Sequence, residues 1–259
     1  MQIYKTLFII SLLVFYILPV SKAANIALII DDIGNNKHEA AAFDLPLNVT
    51  FAILPNKPLS GFFSERALNQ RREVIIHMPM ESLAGIKQEE ASLVAGMTDE
   101  QISSTLTNAL ASVPFATGLN NHMGSRLTQL EAPMKETMSF LFKHGLYFVD
   151  SRTTHFSRAE KIAHDYGVLA TKRDVFLDHV ADLPNIQKQF NRLISLAKKH
   201  GQAVGIAHPY PQTLQFLKEQ LPTIESQGIK LVKLSDMIIE QRYVAKSETV
   251  NSDDFVATQ

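Results

Sequence analysis

Short, continuous apolar runs alternate with amphipathic stretches along most of this chain. Eight runs read as strands: Ile26–Ile30, Asn48–Leu54, Glu73–Ile76, Ala116–Leu119, Tyr147–Val149, Val175–Leu177, Ala203–Ala207 and Lys230–Val232. Most are rich in Ile, Val or Phe and bounded by Gly, Asp, Asn or Pro. Their apolarity is continuous rather than alternating, as in strands covered on both faces of a parallel sheet. The stretches between them carry helical signals. Thr98-Asp99-Glu100-Gln101 reads as a capping box ahead of Ile102, Leu106 and Leu110. Ile186, Phe190, Leu193, Ile194 and Ala197 form one stripe, closed by Lys198-Lys199-His200-Gly201. That ending puts cations at the negative pole of the helix and a Gly where it stops. Leu214, Leu217, Leu221 and Ile224 mark a further helix.

Repeated strand–helix alternation predicts either a (β/α) barrel or an open doubly wound α/β sheet. No Pro-, Gly- or Ser-rich linker interrupts residues 24–240, so a single domain is expected over 24–242. Ser82–Gly96 is polar and aperiodic and is expected to be a long loop. The tail 243–259 has little to bury and is expected to be disordered.

The start of the chain follows a different rule. Lys5 precedes a 14-residue greasy run, Leu7–Val20, and Ser21-Lys22-Ala23 follows. This is the layout of a secretory signal peptide over 1–23, cut after Ala23. The run is shorter than the ~20 residues of a spanning helix, so no stable membrane span is expected after cleavage. The expected location is extracytoplasmic, either periplasmic or secreted. ATP and NADH are not steadily supplied there, which disfavours kinases and dehydrogenases. Composition narrows the field further. The 259 residues hold no Cys, which excludes thiol catalysis and Cys-based zinc sites. The formal charge of −1 offers no clustered basic footprint for nucleic acid.

Parallel α/β folds place chemistry at the carboxyl ends of strands. Six runs here exit into polar strings: Asp31-Asp32, His77 through Glu81, Asn120-Asn121-His122 with Arg126, Asp150-Ser151-Arg152, Asp178-His179, and His208-Pro209. Each has a bland explanation as a turn former, a helix cap or a satisfied histidine. Their coincidence on one rim has a single common explanation in a shared metal centre. Two imidazoles and a carboxylate leave a coordination position open, and zinc suits such a set best. The assignment is Asp32, His77 and His122 as ligands, Asp31 as the base that takes a proton from water, and His208 as the acid that protonates the leaving group. Arg126, Asp150, Ser151 and Asp178 are candidates for orienting these groups or the substrate.

Seven strings in order across residues 25–240, IALIIDDIG, NVTFAILP, EVIIHMPME, GLNNHMGSRLT, YFVDSRTT, RDVFLDH and AVGIAHP, resemble the NodB-like polysaccharide deacetylase superfamily. Within it they are most similar to the divergent polysaccharide deacetylase branch of bacterial envelopes. The resemblance implies a distorted (β/α)7 barrel and metal-dependent hydrolysis of acetyl groups on an envelope or extracellular polysaccharide. It also implies, by position, Asp31 as base, Asp32 as ligand and His208 as acid. One departure stands out. The broader superfamily takes two metal histidines four residues apart, and here Glu81 stands four positions after His77. His122 is the best-placed replacement. Two alternatives therefore stay open: a catalytically degenerate glycan-binding or envelope-assembly protein on the same scaffold, and an unrelated extracytoplasmic esterase or phosphatase.

Overall fold

Strand β1 (Ala24–Ile33) is the spine of the molecule. In the computed structural model, which describes residues 23–85 and 91–243, it pairs on one edge with β8 (Gln202–Ala207) and on the other with β2 (Thr50–Ile53). Its first residues also pair with β9 (Ile229–Leu231). From β2 the sheet continues through β3 (Val74–Met80), β4 (Gly118–Met123), β5 (Tyr147–Asp150) and β6 (Ala170–Lys172). Beyond β8 lies β7 (Val175–Phe176). Every pairing is parallel. Among the described residues no ladder joins β6 to β7, so the sheet curls around but leaves a seam there. The expected distorted (β/α) barrel is therefore the architecture found, with eight strands along the path and β9 beside β1. The expected leader and tail, 1–23 and 243–259, lie outside the described residues except for Ala23 and Tyr243.

Six helices cover the outside: α1 (Ser60–Asn69), α2 (Asp99–Ser112), α3 (Glu131–Lys143), α4 (Ala159–Asp165), α5 (Leu183–His200) and α6 (Pro211–Gln220). Their ends follow from local chemistry. Thr98 and Gln101 form the capping box of α2. The Asp182 side chain accepts the Asn185 N–H at 2.9 Å to start α5, and Gly201 stops it at φ 83°, where a Cβ would be strained. The α5 stripe Ile186, Phe190, Leu193, Ile194 and Ala197 is buried against the sheet. Truncating one of its large members, such as Leu193→Ala, removes about 2–5 kcal/mol of packing.

The two faces of the strands carry different cores. Ile26, Leu28 and Ile30 of β1, with Val74 and Ile76 of β3, pack outward against the helices. Ala27, Ile29, Ala52, Ile75, Tyr147, Val149, Val204 and Ile206 fill the barrel interior. Leu234, Met237 and Ile238, from the helical run 234–243, join this inner cluster and plug the end where the strands begin. Extending each inward series by two residues reaches Asp31 on β1, His77 on β3 and His208 after β8. The candidate chemistry is thus the top layer of the barrel's own inward-facing pattern.

Candidate metal centre

Adjacent residues of a regular strand point to opposite faces, so Asp31 and Asp32 should not share a site. The register of β1 against β2 shifts between Ile30 and Ile33, and Asp32 takes a left-handed φ of 59°. This irregularity turns both carboxylates toward one point. Asp32 Oδ1 lies 3.1 Å from His77 Nε2, and Asp31 Oδ2 lies 3.6 Å from the same nitrogen. The turn that follows is clamped by the buried Glu39. Its carboxylate accepts the N–H groups of Gly34 (2.7 Å), Asn35 (3.1 Å) and Asn36 (2.9 Å). Gly34 is needed there as well: it has φ 136°, and a Cβ would sit 3.1 Å from the Leu54 carbonyl.

β3 and β4 supply the histidines. His77 is the register partner of Asn120, and His122 lies two residues further along the same face of β4. His122 Nδ1 is 3.1 Å from Asp32 Oδ1 and 3.1 Å from His77 Nε2. The three atoms form a nearly equilateral triangle. Zinc with N and O ligands at about 2.0–2.1 Å in tetrahedral geometry sets ligand atoms about 3.3 Å apart. Asp32 Oδ1 is buried and makes no hydrogen bond. A buried carboxylate oxygen without a donor is costly unless a cation completes it. The His77 Nδ1 atom contacts Asn120 Oδ1 at 2.7 Å, which directs Nε2 toward Asp32. The donor set fits a divalent cation.

The electrostatics agree. Burial opposes the charge on Asp32, but the ring nitrogens of His122 and His77 outweigh it and hold the carboxyl well below the usual range. Burial likewise opposes the His77 cation, yet the charges of Asp31 and Asp32 carry the ring up to about 9. Asp31 is dominated by burial, which pushes its carboxyl above the ordinary range despite His77 and His208. The cluster is thus a buried acidic pocket that favours positive charge.

His208 stands across the cluster, with Nε2 3.6 Å from Asp32 Oδ2. Asp178 holds it twice: Oδ1 contacts Nδ1 at 2.9 Å and Oδ2 accepts the backbone N–H at 2.8 Å. Thr213 Oγ donates to the same carboxylate at 2.9 Å. Burial works against the imidazolium here, and the Asp178 hydrogen bond together with the charges of Asp32, Asp178 and Asp31 overcomes it to raise the pKa. The other sequence candidates are held as follows. Arg126 pairs with Glu81 at 2.9 Å. Asp150 accepts from Arg152 N and Ser157 Oγ within its own loop. Ser151 gives its N–H to Asn121 Oδ1, while its hydroxyl is buried without a partner.

Sequence reasoning gave no role to Asn120, Glu39 or Arg173. Asn120 was visible only as one polar residue in a polar string. Glu39 sits in a 3-10 segment, Lys37–Asp44, that carries no strand or helix period. Arg173 bridges the seam, donating to the Ser151 and Arg152 carbonyls at 2.7 and 2.9 Å, with its cation in electrostatic reach of Asp31. Tyr210 stacks on His208 with centroids 5.4 Å apart. A separate recess of about 490 Å3 near the strand beginnings, lined by His164, Lys172, His200 and Arg242 among others, includes none of the ligand residues.

Comparison with known proteins places this geometry. A family model described as divergent polysaccharide deacetylase matches residues 28–238. The uncharacterized protein YibQ of Escherichia coli K12 is 36% identical over 219 residues, covering 84% of this chain and 68% of that one. The uncharacterized protein ATU2773 of Agrobacterium tumefaciens C58 superposes with a TM-score of 0.80 at 22% identity, over 84% of this chain and 90% of the other. BA3943 of Bacillus anthracis, described as a CE4 family pseudoenzyme, superposes at 0.52 and 15% identity, over 84% of this chain and 66% of its own. These last two likenesses are of fold.

Proposed function

We propose that this chain, which belongs to the divergent polysaccharide deacetylase family, is a metal-dependent hydrolase that removes acetyl groups from an envelope or extracellular polysaccharide. The observation that carries the reading is the convergence of Asp32, His77 and His122, from three strands, with ligand atoms 3.1 Å apart and Asp31 beside them. Asp32, His77 and His122 would hold the cation, zinc by preference for this donor set. A divalent cation in such a set would supply Lewis acidity, lowering the pKa of water toward about 7 and polarising a carbonyl oxygen.

The remaining work belongs to the protein's own groups. Asp31 takes the proton of the attacking water as its oxygen bonds to the acetyl carbon. The burial that raises the Asp31 pKa suits a group that must accept a proton near neutral pH. His208, with Nδ1 held by Asp178, presents Nε2 to the site. It gives a proton to the departing amine or alkoxide as the carbon–nitrogen or carbon–oxygen bond breaks. Tyr210 forms one wall beside His208. The signal-peptide pattern of 1–23 supports an extracytoplasmic location, periplasmic or secreted, where such polymers are found.

The test is acetate release from acetylated chito-oligosaccharides and peptidoglycan fragments by the untagged mature protein, before and after chelation. The reading expects a stoichiometric divalent ion, loss of release on chelation and recovery with Zn2+. Full activity in metal-stripped protein would refute it. A second reading keeps the scaffold for glycan binding without turnover. It is favoured by Glu81, which stands where a ligand histidine would be and is held instead by Arg126 and the Ala95 N–H. Glycan affinity with no acetate release from any acetylated sugar would select it.

A further inference from the structure

The Asn120 side chain touches both the ligand set and the base. Its Oδ1 lies 2.7 Å from His77 Nδ1, and its Nδ2 donates to Asp31 Oδ1 at 2.8 Å. It is fully buried. The amide orientation is dictated from both sides. Reversed, it would set a carbonyl oxygen against the Asp31 carboxylate. It would also set an amide N–H against His77 Nδ1, so that a neutral ring would carry its proton on Nε2, toward Asp32 Oδ1 at 3.1 Å, and offer no lone pair there to a cation.

We propose that Asn120 is a positioning residue which couples the two halves of the centre, directing both His77 Nε2 and Asp31 Oδ2 into it. The proposal rests on the metal reading of this site and extends it to a residue with no ligand or proton-transfer role of its own. The chain of contacts runs Asp31 Oδ1, Asn120 Nδ2, Asn120 Oδ1, His77 Nδ1. Each of these atoms is thereby occupied. The two that remain, Asp31 Oδ2 and His77 Nε2, face each other at 3.6 Å across the site. Strand register explains the placement: Asn120 is paired directly with His77, so the bridge needs no loop to form. An amide suits this position because it offers an acceptor and a donor side by side without charge.

Two variants separate the halves. Asn120→Asp keeps the acceptor toward His77 and sets a second carboxyl against Asp31, so that the pair shares a proton and Asp31 no longer acts as a free base. Asn120→Leu removes both the acceptor and the donor. Zinc affinity, measured by competition with a chromophoric chelator, is expected to hold or rise in Asn120→Asp and to fall about 10–100-fold in Asn120→Leu. Acetate turnover is expected to fall at least tenfold in both, with thermal midpoints showing both variants folded. Equal zinc affinity in wild type and Asn120→Leu would overturn the proposal, as would full turnover in Asn120→Asp. If wild type binds zinc but deacetylates nothing, the activity reading fails by itself. The affinity split between the two variants then still decides whether Asn120 orients His77.

Discussion

Both ends of this barrel bury carboxylates, and they treat them in opposite ways. Where the strands begin, Glu73 accepts from Thr50 Oγ1 (3.0 Å), Tyr147 OH (3.0 Å), Leu234 N (3.1 Å) and Ser235 N (3.2 Å). Its charge is matched by the N-terminal amides of the helical run that plugs the barrel. Where the strands end, Asp31 and Asp32 sit side by side, Asp32 Oδ1 has no hydrogen bond, and Asp32 has a left-handed backbone. The protein satisfies Glu73 with its own donors and leaves the aspartate pair needing something from outside. The first arrangement serves stability. The second leaves a buried carboxylate oxygen without a hydrogen bond at the proposed metal site.

This contrast is broken or sharpened by substitution at each end. Asp31→Asn carries the largest effect. It retains the Asn120 contact geometry but cannot take a proton. Acetate turnover is expected to fall by about 10²–10⁴-fold while zinc content and thermal midpoint stay near wild type. Turnover preserved in this variant would remove Asp31 from the chemistry. Glu73→Gln at the other end should show the reverse. Gln offers one acceptor oxygen where several donors converge, so stability is expected to drop about 2–4 kcal/mol, read from the urea midpoint. Turnover per folded molecule should be unchanged. A Glu73 variant that loses turnover at full stability would erase the distinction between the ends.

Asp178→Asn comes next. The Asp178 carboxylate accepts both the ring N–H and the backbone N–H of His208, which orients Nε2 and stabilises the imidazolium. The amide cannot do the latter. A fall of about 10–100-fold in kcat is expected, with KM and metal content held. A KM effect alone would place Asp178 in substrate binding instead.

Much of this was legible in the sequence, and what was not has physical causes. The apolar runs marked eight strands because both faces are covered. The three-residue β6, Ala170–Lys172, is too short an edge to leave a run of its own. The runs ended too early at β3 and β4. His77 lies inside Val74–Met80 and His122 inside Gly118–Met123, so these histidines are strand residues rather than residues beyond the strands. A run stops at its first polar residue, yet the top inward layer of a barrel is polar because it lines the site. The pairing of Asp31 with Asp32 was legible as two adjacent acids. The bulge that lets both face inward was not, since it depends on β1 shifting against β2. Arg126 and Asp150 share the polar composition of the rim but are bound by Glu81 and by their own loop, which no single sequence can reveal.

The smallest effect tests the comparison most finely. Tyr147 lies in the inner apolar cluster, and only its hydroxyl reaches Glu73. Burial, followed by the Glu73 charge, pushes the phenol pKa well above its usual value, so the group acts as a neutral donor. Tyr147→Phe keeps the ring, which packs where a Cβ on Gly118 would otherwise stand. The cost is then one hydrogen bond to a charged acceptor, about 1–2 kcal/mol, because Thr50 and the two backbone amides still satisfy Glu73. Urea unfolding should show that loss, with zinc affinity and acetate turnover unchanged. A combined Tyr147→Phe and Glu73→Gln variant should lose less than the sum of the two, since both act through one carboxylate. Simple additivity would mean that the Tyr147 hydroxyl contributes independently of Glu73.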